Sequence, residues 1–378
     1  DVVDAEPLTV SAVIDRLMHL SRSDAGGVLA GMLDRLDAEE RFALLKMATG
    51  SLRVGVSSRL AKQALADAFG LDVDAVEEVW HGLEPPYPTL FAWAEGQGEQ
   101  PTPADVPVFR PFMLAHPLED LRVDLSDYVA EWKWDGIRVQ LVHVVGADGR
   151  GETRLYSRTG DDISHAFPDV IETLDFDAAL DGELLVGAEG VPRPFSDLQK
   201  RLNRKTVSKK MLADSPAFIR AYDALVLDGE DLRTLPFDDR RARLEAWHAA
   251  TKPARIDLSE MVPFSTWDEL ATARETNQST GVEGLMLKRH DSTYEAGRPK
   301  GPWWKWKRDP HIIDAVLMYA QRGHGKRSSF YSDYTFGVWR GDDLVPVGKA
   351  YSGYTDQELV WLDRWIREHT RIGAQARR

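Results

Sequence analysis

Residues 131–138 read Glu131-Trp132-Lys133-Trp134-Asp135-Gly136-Ile137-Arg138, which places one lysine on an apolar strand before a turn and an arginine. Lys133 lies between two tryptophans, and loss of surrounding water disfavours the charged ammonium form of an amine. A neutral amine is a nucleophile at neutral pH. The planar guanidinium group of Arg138 can donate parallel hydrogen bonds to phosphate or sugar oxygens. The stretch therefore predicts an enzyme that forms a covalent bond through Lys133.

A structural alternative is an ordinary hairpin, because Asp-Gly is a common turn dipeptide. At average residue frequencies, a Lys-x-Asp-Gly-x-Arg string arises by chance in about one of 200 chains of this length. The string supports a catalytic role only in combination with further segments that follow it in order along the chain.

Length and composition are typical of a globular protein with two or three domains. The chain has 378 residues, of which 43% are hydrophobic and 29% are charged. Cysteine is absent, which excludes disulfides, thiol nucleophiles and zinc sites built on cysteine. No apolar run approaches the ~18 residues of a membrane helix. We therefore expect a cytoplasmic protein without a membrane partner.

The net charge of −14 argues against a simple polycation that coats nucleic acid. Acidic side chains outnumber basic ones over residues 1–110, and the positive charge is concentrated further along the chain. Such clusters are ordinarily solvated surface, but on an enzyme of nucleotide chemistry they favour contacts with phosphate backbones. The clusters are Lys200, Arg201, Arg204, Lys205, Lys209 and Lys210; Arg298, Lys300, Lys305, Lys307 and Arg308; and Arg322, His324, Lys326 and Arg327.

The pattern along the chain predicts a multi-domain α+β protein. Helical spacing with caps at Asp37 and Ser57 and a stop at Gly70 indicates an all-α domain, followed by a Pro-rich linker of weak structure to residue 111. Apolar runs at Tyr128–Trp134 and Ile137–Val145, separated by Asp135-Gly136, and further runs after them then predict an α+β domain with antiparallel sheets. The chain closes with shorter strands and a helix capped by Thr355, consistent with a partial β-barrel. The predicted domains are 1–110, 111–308 and 309–378.

Two acidic segments precede apolar strands. Asp181-Gly182-Glu183 begins one strand, and Glu283 opens another that ends in Lys288. Carboxylates of Glu183 and Glu283 could hold Mg²⁺, which takes few protein ligands and keeps water and phosphate for the rest. Acidic turn residues before strands are routine, so each segment carries little weight alone.

Two further positions suit a nucleotide. Lys305 and Lys307 alternate, so they share one face of a strand and could neutralise phosphates during phosphoryl transfer. Tyr222 is a strand aromatic that could stack on a base. A core tyrosine is an equally good interpretation of Tyr222 from the local sequence.

Taken in order, these segments resemble the motifs of the covalent nucleotidyltransferases, which comprise DNA ligases, RNA ligases and mRNA capping enzymes. The resemblance rests on six elements within about 175 residues: Lys133–Arg138, Ser157–Gly160, Asp181–Glu183, Tyr222–Asp223, Glu283–Lys288 and Lys305–Lys307. It implies an adenylation domain followed by an OB-fold.

Two more segments resemble ATP-dependent DNA ligases of the bacterial type that carry a helical DNA-binding domain. Residues 50–57 look like a DNA-contacting turn of that domain, and residues 321–327 with 331–339 resemble the OB domain. The chain lacks the cysteine zinc module of NAD-dependent ligases.

The resemblance implies roles residue by residue. Lys133 would attack the α-phosphate of ATP, release pyrophosphate and carry AMP to the 5′-phosphate of a nick in duplex DNA, which the 3′-hydroxyl then joins. Glu131 and Tyr222 would bind adenine, and Arg138 and Arg158 would contact ribose and phosphate. The remaining implied ATP contacts are Glu183, Lys288, Arg298, Lys305 and Lys307.

The resemblance also implies the metal, the partner and the location. Glu183 and Glu283 would hold Mg²⁺, with Mn²⁺ as the alternative. The implied DNA contacts are Arg53, Arg201, Arg204, Lys205, Arg322, Lys326 and Arg327. The protein would act as a monomer in the bacterial cytoplasm, at the nucleoid, in DNA replication, repair or recombination.

One departure leaves alternatives open. The Arg-x-Asp-Lys type motif, which in this family orients the pyrophosphate, is absent after Lys307. The chain also opens at Asp1 without an initiator methionine, so we expect a chain that is incomplete at both ends. If it is the whole protein, we expect reaction with ATP to be affected more than sealing of preadenylated nicks. RNA ligation, capping, and nick binding without catalysis remain alternative functions.

Overall fold

The computed structural model describes residues 8–370 except 22, 50–54, 81, 84–85, 102–105, 120–122, 147–148, 173, 175, 189, 203, 205, 278, 310–311 and 324–327. Its contacts divide the chain into two compact units, Asp1–Lys307 and Arg308–Arg378. Within the described ranges, no helix has both the length and the apolar character needed to cross a membrane.

The first described part of the chain is helical, as predicted. Its helices are α1 Val10–Met18, α2 Ala25–Leu33, α3 Ala38–Ala48, α4 Ser58–Phe69, α5 Val73–Trp80 and α6 Pro88–Ala94. Asp37 and Glu40 form the expected capping box, and Gly70 ends α4 in the left-handed region at φ 67°. The helix α6 was not expected, because the prediction gave residues 84–111 weak structure. Pro88 suits a first helical turn, and Leu90 is fully buried.

The rest of the first unit is a mixed α+β structure with mainly antiparallel sheets, as predicted. Its strands are β1 His116–Pro117, β2 Tyr128–Trp134, β3 Ile137–Val145, β4 Gly151–Ser157, β5 Ala178–Ala188, β6 Val191–Pro192, β7 Ala217–Leu227, β8 Glu230–Asp231, β9 Ile256–Leu258, β10 Met261–Val262, β11 Val282–Arg289 and β12 Trp303–Lys307. Its helices are α7 Pro168–Ile171, α8 Phe195–Gln199, α9 Lys209–Asp214, α10 Phe237–Thr251 and α11 Trp267–Thr276.

The strands form two sheets. One has the order β1-β12-β11-β2-β10, and the other has the order β4-β3-β5-β7-β8 with β6 beside β5 and β9 beside β7. Apolar side chains of both sheets meet in one cluster that includes Val142, Leu225 and Trp303. The opposite face of the β5–β7 sheet packs against Leu244 and Trp247 of α10. Strands β5 and β7 are therefore buried on both faces, which explains their nearly continuous apolar sequence.

Among the described residues of this unit, Arg201 and Arg240 are completely buried. Arg240 forms a two-point ion pair with Asp223 at 2.8 and 2.9 Å. Arg201 pairs with Asp169 at 2.6 and 2.9 Å and donates to the carbonyl oxygen of Ala166. The sequence prediction that Arg201 contacts DNA is therefore wrong, because its guanidinium has no exposed surface and its charge is paired internally.

The second unit contains β13 Val316–Arg322, β14 Tyr331–Arg340, β15 Asp343–Ala350 and α12 Asp356–His369, with strand order β13-β14-β15. Thr355 and Glu358 cap α12 as predicted. Leu359 and Ile366 of this helix are buried, and Asp363 accepts a hydrogen bond from the backbone of Tyr331 at 2.8 Å. The OB-fold inferred for this region stays a prediction.

The buried Arg201–Asp169 pair gives a test of stability. Asp169→Ala removes the partner of a charge without access to water and an acceptor for the backbone N–H of Ala217. We expect the free energy of unfolding to fall by about 3–5 kcal/mol, measured by urea denaturation followed by circular dichroism. Glu230→Ala removes an exposed partner of Arg243 and should change it by less than about 1 kcal/mol. Equal losses in the two variants would contradict this account.

Candidate active site

One cavity of the first unit, with a volume of about 390 Å³, collects the side chains that the sequence predicted to act together. Strands of both sheets contribute to it, because β2 and β3 join the sheets through the tight turn at Asp135-Gly136. The predicted nucleotide and metal residues that line it are Glu131, Lys133, Arg138, Arg158, Glu183, Tyr222, Glu283, Lys288, Arg298, Lys305 and Lys307.

Lys133 lies at an irregular point of the β2–β11 pairing. It pairs with Gly284, and the register shifts between Val282 and Gly284. Gly284 has φ 150°, and a Cβ there would overlap the carbonyl oxygen of Trp306. A glycine is thus required where the bulge brings β11 close to β12. The bulge lies directly beside the backbone of the candidate nucleophile.

Glu283 bridges two lysines of the cavity. One carboxylate oxygen contacts the Nζ atom of Lys133, and the other accepts a hydrogen bond from Lys307 at 2.9 Å. Burial opposes ionisation, but the hydrogen bonds and charges of both lysines outweigh it and lower the pKa of Glu283. The tryptophan neighbours had suggested a desolvated amine, whereas the structure gives Lys133 an ionic partner.

Glu183 occupies a different environment. Its carboxylate accepts a hydrogen bond from the backbone N–H of Gly136 at 3.2 Å. Burial raises the pKa of Glu183 to about 8, against the opposing charges of Lys133 and Arg138. A Cβ at Gly136 would lie 2.5 Å from the carbonyl oxygen of Leu184, so only glycine fits this turn.

The donor chemistry of Glu183 and Glu283 fits Mg²⁺, which prefers hard oxygen ligands and retains water and substrate phosphate. In the part of the chain that the structure describes, no cluster of three or more His, Cys, Asp or Glu side chains is suited to hold a metal. An ion at these two carboxylates would therefore depend on oxygen atoms from the substrate or from water.

The interior wall of the cavity contains a buried ion pair. The ammonium of Lys288 lies 3.0 Å from the carboxylate of Glu131, and both side chains are almost completely buried. The same ammonium lies 4.6 to 4.8 Å from the ring centres of Tyr222, Phe237 and Trp303. Contact of Lys288 with phosphate stays a prediction, since Glu131 already compensates its charge here.

Arg138 has a different environment from the one expected. Its Nε and Nη2 atoms donate to the two carboxylate oxygens of Asp181 at 3.0 and 2.6 Å, and Nη1 donates to the carbonyl oxygen of Met113 at 2.7 Å. Burial lowers its pKa, but Asp181 outweighs burial and raises the pKa above its usual value. The contact of Arg138 with ribose or phosphate stays a prediction, since Asp181 and Met113 already accept hydrogen bonds from its guanidinium.

Asp181 is the residue that the role prediction missed. It belongs to the quoted Asp181-Gly182-Glu183 segment, and its two-residue spacing from Glu183 places both side chains on one face of β5. Tyr294 also escaped the sequence reasoning, and its hydroxyl donates to Asp181 at 2.7 Å. No motif of the sequence marked Tyr294.

Positive charge surrounds the rest of the cavity. Arg158, Arg298, Lys305 and Lys307 all line it. Burial, followed by the charges of Arg298 and Lys133, lowers the pKa of Lys305. Such mutual repulsion among cations would be relieved by an anionic ligand.

Arg201 and Arg204, the predicted DNA contacts that the structure describes in the first unit, are not among the residues that line this cavity. Arg204 is exposed and donates to the carbonyl oxygen of Lys200 at 3.2 Å, and Arg322 lies in the second unit near the ring of Tyr331. The others, Arg53, Lys205, Lys326 and Arg327, lie outside the described residues.

Comparison with known proteins gives consistent matches. A family model described as ATP dependent DNA ligase domain matches residues 112–307, just over half of the chain. A probable DNA ligase of Koribacter versatilis is 33% identical, over 91% of this chain and 64% of that protein. DNA ligase 1 of Korarchaeum cryptofilum is 30% identical, over 96% of this chain and 68% of that protein.

The solved structure Pmar-Lig_Pre is similar in fold. It has a TM-score of 0.53 at 18% identity, covering 96% of this chain and 92% of that chain. The present chain spans about two thirds of the length of the curated relatives that it matches.

The turn at Gly136 gives a test of the site geometry. In Gly136→Ala the methyl group would meet Leu184 and the Cγ atom of Glu183 at 2.5 and 2.8 Å. We expect the free energy of unfolding to fall by about 1–3 kcal/mol, measured by urea denaturation. Gly348→Ala is the control, because no atom lies within 4 Å of its Cβ. A Gly136→Ala variant as stable as this control would contradict the packing described.

Proposed function

Because the chain belongs to the ATP-dependent DNA ligases, we propose that it joins the 5′-phosphate and 3′-hydroxyl ends of nicks in duplex DNA through a lysyl-AMP intermediate. The observation that carries the proposal is that Lys133, two carboxylates and a group of cations line the same cavity. This arrangement suits phosphoryl transfer, where catalysis depends on positioning and charge neutralisation more than on acid–base chemistry.

In the first step Lys133 is the nucleophile. Its Nζ atom gives up a proton to water and forms a bond to the α-phosphorus of ATP, while the bond to the bridging oxygen breaks and pyrophosphate leaves with the electron pair. Arg298, Lys305 and Lys307 lie where they would neutralise the phosphate oxygens. Entry of the nucleotide would also draw Lys133 away from Glu283, its present partner.

In the later steps the same cavity transfers AMP to DNA. The 5′-phosphate of the nick attacks the phosphorus of lysyl-AMP and releases the amine of Lys133. The 3′-hydroxyl then attacks the activated 5′-phosphate, a phosphodiester forms, and AMP leaves. Each attack occurs at a phosphorus atom with spread negative charge, which the cations of the cavity would stabilise.

Glu183 and Glu283 are the proposed Mg²⁺ ligands, with Mn²⁺ as the alternative. The bound ion would supply further neutralisation of phosphate charge. Glu131 is proposed to recognise adenine, and Tyr222, half-buried on the wall of the cavity, to stack on it. Burial raises the pKa of the Tyr222 hydroxyl well above its usual value, so the ring stays neutral.

The domain roles extend this proposal. Residues 1–110 would form the helical DNA-binding domain, residues 111–308 the adenylation domain, and residues 309–378 part of an OB-fold. Arg204 and Arg322 remain candidate contacts with the DNA backbone, together with Arg53, Lys205, Lys326 and Arg327. The protein would act as a monomer at the bacterial nucleoid, in DNA replication, repair or recombination.

The nucleophile can be tested directly. Lys133→Ala should abolish transfer of label from α-labelled ATP to the protein, measured on a denaturing gel, because the nitrogen that would form the bond to phosphorus is absent. Lys252→Ala removes a lysine outside the cavity and should label like the unsubstituted protein. Label that persists in Lys133→Ala would refute the assignment.

A chase with nicked DNA completes this test. Label that leaves the protein as sealed product appears would support ligation from ATP. Absence of label with sealing of a preadenylated nick would restrict the activity of this chain to the last step. Failure of both assays would contradict ligation and favour the nick-binding alternative.

Tyr222 provides a separate test of the nucleotide site. Tyr222→Ala should weaken ATP binding by about 1–3 kcal/mol if the ring stacks on the base, measured by isothermal titration calorimetry. Tyr222→Phe keeps the ring and should bind ATP normally. An unchanged affinity in Tyr222→Ala would return this residue to a purely structural role.

A further inference from the structure

Trp134, the residue that follows Lys133, is held by side chains that do not line the cavity. The guanidinium carbon of Arg220 lies 4.1 Å from the centre of its ring, and the indole N–H donates to the hydroxyl of Ser259 at 3.0 Å. Trp134 and Arg220 are both buried. Arg220 therefore contacts the face of the indole ring, and Ser259 holds its edge.

Arg220 is itself fixed in orientation. Its Nε and Nη2 atoms donate to the two carboxylate oxygens of Asp257 at 2.9 and 2.6 Å, and Nη2 also donates to the carbonyl oxygen of Gly190 at 2.6 Å. A two-point contact with a carboxylate sets the plane of a guanidinium, whereas a single contact leaves it free to rotate. Asp257 thus orients the plane that stacks on Trp134.

Lys133 lies where the pairing of β2 with β11 is irregular. The register of β2 with β11 breaks between Val282 and Gly284, and β2 ends at Trp134. The next residue, Asp135, donates its backbone N–H to the carbonyl oxygen of Gly281 at 2.7 Å. At a strand end beside a bulge, the direction of a side chain depends on how its neighbours are anchored.

We propose that Arg220 is a positioning residue for Lys133, acting through its stack on Trp134 and oriented by Asp257. The proposal rests on the proposed function in one respect, namely that Lys133 is the nucleophile. Arg220 does not line the cavity, so the proposed role does not include direct contact with ATP. Its contribution lies in keeping the Lys133 amine in line with the α-phosphorus, where a displacement of about 1 Å can slow a reaction on the order of 100-fold.

The surroundings of the Arg220–Asp257 pair make the proposal testable without loss of the fold. Both residues line a second cavity of about 750 Å³, and the side chain of Asp257 is 33% exposed. Water can therefore hydrate Asp257 when Arg220 is replaced. This differs from the Arg201–Asp169 pair, where Arg201 has no exposed surface.

The first experiment measures the rate of protein labelling by α-labelled ATP at saturating concentration, together with ATP affinity. Arg220→Met should lower the rate constant by roughly 10-fold or more and leave the affinity unchanged. Arg220→Lys keeps a positive charge over the Trp134 ring but loses the planar guanidinium. Asp257→Asn removes the negative charge that orients the guanidinium of Arg220. Both should give intermediate rates.

Arg233→Met is the matched control. Arg233 is a partly buried arginine whose guanidinium pairs with Asp231 by two atoms and also with Glu78, and neither partner lies on β2. It should label at the unsubstituted rate. Urea denaturation of each variant identifies any that has lost its fold, and Arg220→Lys and Asp257→Asn then decide the outcome. Labelling of folded Arg220 variants within about 2-fold of the unsubstituted rate would overturn the proposal.

A second readout separates positioning from general damage to the cavity. Joining of a preadenylated nick forms no bond to Lys133, so Arg220→Met should seal it at the normal rate. An equal loss in labelling and in sealing would overturn the specific role. Adenosine with a 5′-fluorosulfonylbenzoyl group reacts covalently with nucleophilic side chains and gives a measure independent of turnover. Mass spectrometry then reports how fast Lys133 itself is modified. That rate should also fall in Arg220→Met.

The proposed function can fail separately from the positioning role. Labelling that survives Lys133→Ala, or an unsubstituted protein whose Lys133 accepts neither probe, would contradict the nucleophile assignment. Equal labelling of Lys133 in the unsubstituted protein and in Arg220→Met would contradict only the role of Arg220.

Discussion

The bridge from Lys133 through Glu283 to Lys307 is the interaction on which the candidate site depends. Several cations line one cavity, and without a compensating carboxylate they would repel each other across it. Glu283 supplies that compensation from β11, next to the bulge that also sets the position of Lys133. The phosphates of a nucleotide are also negatively charged, so they could take the place of the Glu283 carboxylate as the partner of these lysines.

Ion pairs in this protein serve two distinct purposes. The guanidinium groups of Arg201, Arg240 and Arg138 form two-point ion pairs with carboxylates inside the first unit. These ion pairs join its loops and strands. Lys305, Lys307 and Arg298 instead keep their charges at the cavity. A planar guanidinium can satisfy several buried acceptors at once, which suits the arginines of the interior, whereas Lys305 and Lys307 each present a compact charge to the cavity.

The strands β2 and β3 are encoded locally, because each is an apolar run bounded by turn residues. Tyr128–Trp134 and Ile137–Val145 were predicted with the bounds found for β2 and β3, because apolar runs there are interrupted by an Asp-Gly turn. Helix α6 was missed, since its proline content suggested a linker and only tertiary packing of Leu90 shows why it forms. Arg201 was misassigned for a related reason, because a run of basic residues does not reveal which of them turns inward.

The sequence by itself determined the family-like order of motifs, the strand that carries Lys133 and the residues that line the cavity. The strand that carries Lys133 follows from local chemistry, since turn residues and strand alternation are properties of short segments. Most of the cavity residues were instead implied by the resemblance of the ordered motifs to the covalent nucleotidyltransferases. Only the tertiary structure decided the partners: Asp181 for Arg138, Glu283 for Lys133, and Arg220 for Trp134. Each of these contacts joins residues more than 40 positions apart, so its energy depends on the packing of the whole unit and no local pattern encodes it.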